Sequence, residues 1–281
     1  MTDKLVFMHI PKNGGTSLRS MLSSWFAPEQ RCPYREGQDY LQHFDDEQLR
    51  RYRFFTGHLP LYVVQRFFPE SMTKFTVLRD PVERAYSLYA YWRDFRLPDE
   101  KAGADAEAAE ARDATAVAEM PDEAHTKEAE GTPERRPFPN LYPNEYAGPM
   151  IAKKLDFGSF LFSNHPYVRK ALTNPQTRFL CNARIYDHVE SMNERDVIRT
   201  VINEVRDWNI TVEILEEPDR MTASIGRIAA SLGVSDEPQL PHENRSERRG
   251  MEDLDRTLVA DFLKMTSPLD FRLYEHFRND H

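Results

Sequence analysis

Leu5-Val6-Phe7-Met8-His9-Ile10-Pro11-Lys12-Asn13-Gly14-Gly15-Thr16-Ser17-Leu18 passes from an apolar run through a turn into a periodic stretch. Residues 5–9 read as a strand. Residues 15–26 read as a helix whose apolar stripe is Leu18, Met21, Leu22, Trp25 and Phe26. A strand that turns through glycine directly into a helix makes an anion cradle. The first N–H groups of the helix have no intrahelical partner, and Gly14 and Gly15 let the backbone close on a ligand. Lys12 adds a mobile positive charge, and Thr16 and Ser17 add hydroxyl donors. In an ATP- or GTP-binding loop the lysine follows the last glycine, whereas here Lys12 precedes both. The loop points to a phosphate ligand other than a nucleoside triphosphate.

The pattern repeats downstream. Residues 52–56 (Tyr-Arg-Phe-Phe-Thr) read as a second strand ended by Gly57 and His58, and residues 61–68 as a short helix stopped by Pro69. Residues 74–78 form a third strand, and 81–95 a helix with Pro81 in its first turn. Order resumes near 157–162, followed by a helix over 190–205, an alternating fourth strand over 210–215 and a helix over 219–232 closed by Gly233. Two helices, 254–265 and 268–277, end the chain. Strands alternating with helices imply parallel strands joined by crossovers. The expected fold is therefore α/β: a P-loop-like three-layer arrangement with a central parallel sheet flanked by helices. It is expected as one domain over residues 1–281.

The net charge of the 281-residue chain is −9, and it is not evenly spread. Residues 99–134 hold twelve acids against Lys101, Arg112 and Lys127, so this stretch alone accounts for the whole imbalance. Its Ala, Glu and Asp content shows little apolar face and is broken by Pro121, Gly131 and Pro133, which predicts an acidic surface insertion. Residues 137–149 carry four prolines among aromatics and read as an extended, packed loop. The balanced remainder has no basic excess for nucleic acid. No run of about 18 apolar residues is present to span a membrane. Cys32 and Cys181 show neither disulfide-framework nor metal-ligand spacing, so no metal is expected and a reducing cytoplasm is the simplest location.

A second constellation, Leu78-Arg79-Asp80-Pro81-Val82-Glu83-Arg84-Ala85-Tyr86-Ser87, also sits at a strand-to-helix junction. In a parallel sheet the loops after adjacent strands share one rim. Arg79 leaves the third strand towards that rim and Ser87 lies about two turns into the helix, so a phosphate between them would take a guanidinium fork and a hydroxyl. Two phosphate sites on one rim imply a ligand with two separated anionic ends. Asp80 is read as a helix cap or an arginine partner. Arg84 is read as a ligand contact or a solvated charge, Arg178 as an ion pair or a cleft residue, and His9 as structural. Tyr86, Tyr89, Tyr91, Trp92 and Phe95 read as mostly core, with some of them walling a pocket.

Pro-Lys-x-Gly-Gly-Thr-Ser after the first strand, with Arg-Asp-Pro-x-x-Arg-x-x-x-Ser after a later one, resembles the PAPS-dependent sulfotransferases. More narrowly it is similar to the carbohydrate 2-O-sulfotransferase-like branch and its soluble bacterial relatives. The likeness covers residues 4–96, and it continues more weakly through Asn174-Pro-Gln-Thr-Arg178, residues 212–232 and the loop 241–249. It implies that Lys12, Asn13, Gly14, Gly15, Thr16 and Ser17 bind the 5′-phosphosulfate end of PAPS (product PAP), and Arg79 and Ser87 the 3′-phosphate. It also implies that Asn244 and Arg245 close over the nucleotide. Asn13 departs from the threonine frequent in relatives, although its amide retains a donor. Thr56-Gly57-His58 matches the Gly-His of that branch, with Thr56 in place of a first histidine, and implies His58 as the base and Lys12 as the leaving-group stabiliser. The implied acceptor is a hydroxyl of a carbohydrate or small molecule. Two other classes remain open on the residues. A P-loop kinase would need the Gly-Lys-Ser/Thr order and a Mg²⁺-binding acid after a strand. A non-catalytic nucleotide-binding or scaffold protein would have lost the base or the leaving-group lysine, and both candidates are present.

Overall fold

A computed structural model describes residues 3–33, 40–95, 146–234 and 255–280. The first half runs β1 (Leu5–Met8), α1 (Gly15–Ser24), α2 (Asp46–Arg51), β2 (Phe54–Gly57), α3 (Leu61–Phe67), β3 (Thr73–Leu78) and α4 (Pro81–Arg93). The second half runs α5 (Ala147–Lys154), α6 (Phe157–Leu161), α7 (Pro166–Leu172), α8 (Pro175–Phe179), α9 (Glu194–Asp207), β4 (Ile210–Ile214), α10 (Pro218–Ser231), α11 (Arg256–Thr266) and α12 (Pro268–Asn279). The four strands are all parallel and lie in the order β2-β1-β3-β4. This is an α/β fold with helices on both faces of the sheet.

Alternation along the strands assigns the faces. Leu5, Phe7, Phe54, Phe75 and Val77 pack beneath Leu18 and Leu22 of α1 and Met221, Ile225 and Ile228 of α10. Val6, Met8, Phe55, Leu78 and Val212 pack against α3, α9 and α12 through residues such as Val64, Val201 and Leu273. Each such side chain contributes about 1.5–3 kcal/mol when taken fully out of water. Two polar residues within the strands are accommodated by specific partners. Lys74 is buried in β3, and its ammonium donates to the carbonyls of Pro69, Glu70 and Met72, each at 2.9 Å. Glu213 of β4, covered by α10, pairs with Arg220 Nε at 3.0 Å and accepts from the Ser224 hydroxyl. A separate apolar cluster joins α4, α5, α6, α7 and α11 around Tyr86, Tyr89, Phe157 and Phe160.

Helix ends follow local chemistry. Asp45, Asp80, Asp156 and Asn193 cap α2, α4, α6 and α9 with side-chain oxygens. After α10, Gly233 takes φ 75°. Its N–H reaches Ala230 O at 3.1 Å while Val234 N–H reaches Ala229 O at 2.9 Å, which satisfies two terminal carbonyls as the glycine stop predicted. Residues 147–149, expected within an extended loop, instead open α5, where Gly148 lies against the Trp92 ring closely enough to exclude a larger residue. The start of α9 moves from 190 to Glu194 because Asn193 supplies the cap. The acidic stretch 99–134 lies outside the described residues.

Candidate functional site

The chain leaves β1 into α1 on one face of the sheet and leaves β2 into α3 on the other. With the order β2-β1-β3-β4, the chain's direction of travel across the sheet reverses between β1 and β3, and the crevice expected beyond their carboxyl ends is the position where open parallel sheets bind ligands. The loop after β1 and the loop after β3 meet there. Arg79 Nη1 donates to the Lys12 carbonyl at 3.1 Å.

The loop after β1 has a left-handed turn at Lys12 (φ 72°) and another at Gly14 (φ 73°). Gly14 is the N-cap of α1, which has no side-chain cap and no acid in its first turn. The leading N–H groups of the helix are thereby left for an anion. Thr16 is exposed and Ser17 half-buried, and neither hydroxyl is engaged by a described residue. Gly15 has a different reason to be glycine. A Cβ there would lie 1.8 Å from His9 Cδ2, so the ring at the end of β1 occupies that space.

Asn13 does not point where the resemblance implied. It is 1% exposed, and its Nδ2 donates to Val77 O and to Gln176 Oε1, both at 2.7 Å. Both amide hydrogens are used inside the protein because the two flanking left-handed residues turn this side chain inward. Asn13 shapes the loop and offers a ligand no side-chain donor.

Positive charge converges on the crevice. The Lys12 ammonium lies 3.9 Å from the centroid of the Tyr91 ring. Burial first, then Arg79 and Arg84, pull its pKa down to about 8. Arg79 has a buried Nε without a hydrogen-bond partner, and its nearest carboxylate, Glu216, stands 4.0 Å away. Glu216 meanwhile accepts from Asp80 N at 3.2 Å and from the Tyr274 hydroxyl at 3.1 Å. Arg84 is neither a solvated charge nor placed at the surface. It is 5% exposed, and it donates to Pro11 O at 3.2 Å and to Ala171 O at 3.1 Å, pinning the loop to the end of α7. Ser87 is half-buried on α4, one turn before Tyr91, and its hydroxyl is engaged by no described residue.

His58 follows β2 on the other side of β1. Its Nδ1 lies 3.0 Å from the His9 carbonyl. A carbonyl only accepts, so Nδ1 carries a proton, and the neutral ring in this tautomer has its lone pair at Nε2. The two imidazoles are 4.8 Å apart between centroids. Burial, with His58, Arg19 and Lys12 adding to it, pushes the His9 pKa down to about 3, so His9 stays neutral and structural. Asp80 caps α4 as expected, accepting from Val82 N and Glu83 N, and Arg178 pairs with Glu190. Asn244 and Arg245 lie outside the described residues.

Tyr91, read from the sequence among residues that are mostly core or wall a pocket, is 48% exposed and lies against Lys12, and two contributors were not singled out in the sequence: Gln176 and Asp270. Gln176 bridges both loops, and Asp270, 2% exposed, accepts from Gln176 N at 3.1 Å and Thr177 N at 2.7 Å. The only hint of Gln176 was its place within Asn174-Pro-Gln-Thr-Arg178. Among the described residues, no group of three or more His, Cys, Asp or Glu is placed to hold a metal ion, and no helix is long and apolar enough to cross a membrane. Compared with models of known protein families and with curated proteins, the chain matches none.

Proposed function

We propose that this chain is a sulfotransferase that moves the sulfuryl group of 3′-phosphoadenosine 5′-phosphosulfate to a hydroxyl of a carbohydrate or small-molecule acceptor. One observation carries the reading. Lys12 and Arg79, joined through the Lys12 carbonyl, flank an uncapped helix N-terminus at the β1/β3 crevice, with His58 held by the neighbouring strand end. The donor chemistry fits a nucleotide with two anionic ends. The N-terminus of α1, Lys12, Thr16 and Ser17 offer one set of donors, while the Arg79 guanidinium and the Ser87 hydroxyl offer another. The resemblance in residues 4–96 supplies the identity of that nucleotide, and a cytoplasmic location accords with it.

When bound, PAPS supplies an activated sulfuryl group. The acceptor oxygen forms a bond to sulfur as the bond from sulfur to the 5′-phosphate oxygen breaks. His58 Nε2 takes the acceptor hydroxyl proton, and the Nδ1–H bond to the His9 carbonyl holds the tautomer that makes Nε2 the base. Lys12 and the α1 N–H groups offset the charge that builds on the leaving phosphate. Gly14 permits the turn that aims those groups, and the inward Asn13 amide keeps the turn in place.

Calorimetric titration with PAP, ATP–Mg²⁺ and GTP–Mg²⁺, together with PAP release from PAPS over a panel of hydroxyl acceptors, tests this. PAP is expected to bind in preference to both triphosphates. His58→Ala is expected to lower turnover by about 10²–10⁴-fold, the contribution of a general base, while leaving PAP affinity nearly unchanged. A preference for ATP–Mg²⁺ would overturn the reading, and PAP binding without turnover on any acceptor would favour a non-catalytic nucleotide-binding protein.

A further inference from the structure

The two anion-binding loops are joined by a residue that belongs to neither. Gln176 lies in the first turn of α8 and is 1% exposed. Its Oε1 accepts from Asn13 Nδ2 at 2.7 Å and from Arg79 N at 2.9 Å, and its Nε2 donates to Arg79 O at 2.9 Å. One amide therefore holds the backbone of Arg79 at both its donor and its acceptor, and holds the Lys12–Gly15 turn through Asn13. The clamp is itself anchored. Asp270 of α12 accepts the Gln176 N–H, and Asn174 Oδ1 accepts Leu269 N at 3.0 Å, so the starts of α8 and α12 cap one another. The Gln176 amide is engaged at both its oxygen and its nitrogen, and a buried side chain held at both ends favours one geometry.

Resting on the nucleotide reading above, we infer that Gln176 is a positioning residue that sets the span between the two anion sites. By doing so it makes the protein select a nucleotide phosphorylated at both ends over one phosphorylated only at the 5′ end. Gln176 is too buried to touch the ligand, so its influence is on the distance between Lys12 and Arg79. A ligand that bridges both sites gains from that fixed distance as a chelate does, whereas a ligand using one site does not. The side-chain chemistry is demanding. Methionine keeps the length and volume but neither donates nor accepts well. An ionised glutamate keeps the acceptor for Asn13 and Arg79 N but turns a second acceptor towards Arg79 O. Protonated glutamate regains the missing donor.

The test uses the full chain, with PAP and 5′-AMP titrated into wild type, Gln176→Met and Gln176→Glu, and unfolding midpoints recorded for each. Gln176→Met is expected to weaken PAP by about 10–100-fold and 5′-AMP by less than about threefold. Gln176→Glu is expected to resemble it near pH 8 and to recover PAP affinity, relative to wild type at the same pH, as the pH falls towards about 6, because burial raises a carboxyl pKa. If Gln176→Met does not fold, the pH recovery of Gln176→Glu decides. PAP affinity within about threefold of wild type in Gln176→Met, equal losses for PAP and 5′-AMP, or no pH recovery would each overturn the clamp. Failure of the wild type to bind PAP would instead overturn the nucleotide reading on which the clamp rests.

Discussion

Lys12 combines two features that are costly separately. It takes a left-handed backbone without being glycine, and its ammonium is drawn into a half-buried crevice beside Arg79 and Arg84. Burial and those two guanidinium groups lower its pKa to about 8 from 10.5. The sign for stability follows from proton counting. Between pH 8 and 10.5 the unfolded chain holds the proton and the folded chain does not, so the penalty of a desolvated ammonium, present below pH 8, is relieved as pH rises through that window. The sign for binding is opposite. A bound anion stabilises the ammonium, so PAP affinity is expected to fall above about pH 8, with a limiting slope of about tenfold per pH unit. Titrations from about pH 7 to 10 on wild type, Lys12→Arg and Lys12→Met check this. Arginine should carry its affinity through the range, and methionine should bind weakly with no break near pH 8. A break retained in Lys12→Met would assign it to another group.

At the scale of elements, the close return of α1 onto the end of β1 depends on one missing methyl. Gly15 has an ordinary backbone, yet a Cβ would fall 1.8 Å from His9 Cδ2, and His9 is stacked on Phe7 at 5.9 Å between centroids. Gly15→Ala is expected to destabilise the fold by about 1–3 kcal/mol, the usual cost of overpacking, and by much less in a His9→Ala background. Denaturant midpoints for the two single variants and the double variant measure the coupling, and simple additivity would sink the explanation. This pair also illustrates what can be read from the chain. The strands were legible because each is buried along nearly its whole length, leaving a continuous apolar run at 5–8 and stretches rich in apolar and β-branched residues at 54–57, 73–78 and 210–214. The long helices α4 and α10 were legible from their apolar stripes. Helices α6, α7 and α8, of five to seven residues, are too short to establish a period, and Pro166 and Pro175 at their starts were their clearest marks. Lys12, Arg79 and Ser87 stood out because they lie in or just after strand-to-helix turns, where a cation or hydroxyl faces the rim that binds ligands. Gln176 went unremarked and Arg84 was read as a ligand contact or solvated charge, because a buried polar residue is explained only by partners distant in sequence, here Asn13, Arg79, Pro11 and Ala171.

For the whole molecule, local and global charge oppose one another. The crevice gathers Lys12, Arg79 and Arg84, while the chain as a whole carries −9, all of it attributable to residues 99–134. A doubly phosphorylated nucleotide approaching from a distance meets the net charge, and only within the crevice does it meet the cations. At about 0.1 M salt, charges more than about 10 Å apart are largely screened, so the two fields separate by ionic strength. Replacing the twelve acids of 99–134 by their amides is therefore expected to accelerate PAP association by roughly tenfold at low salt. The two proteins should converge as the Debye length shrinks to about 3 Å near 1 M. Dissociation rates should stay alike, because the contacts that hold the ligand are those of the crevice. Stopped-flow association measured across ionic strength separates these effects. Equal association rates at every salt concentration would mean that the cations of the crevice govern the approach as well as the binding. A change in dissociation rate would place the acidic segment among the groups that hold the ligand.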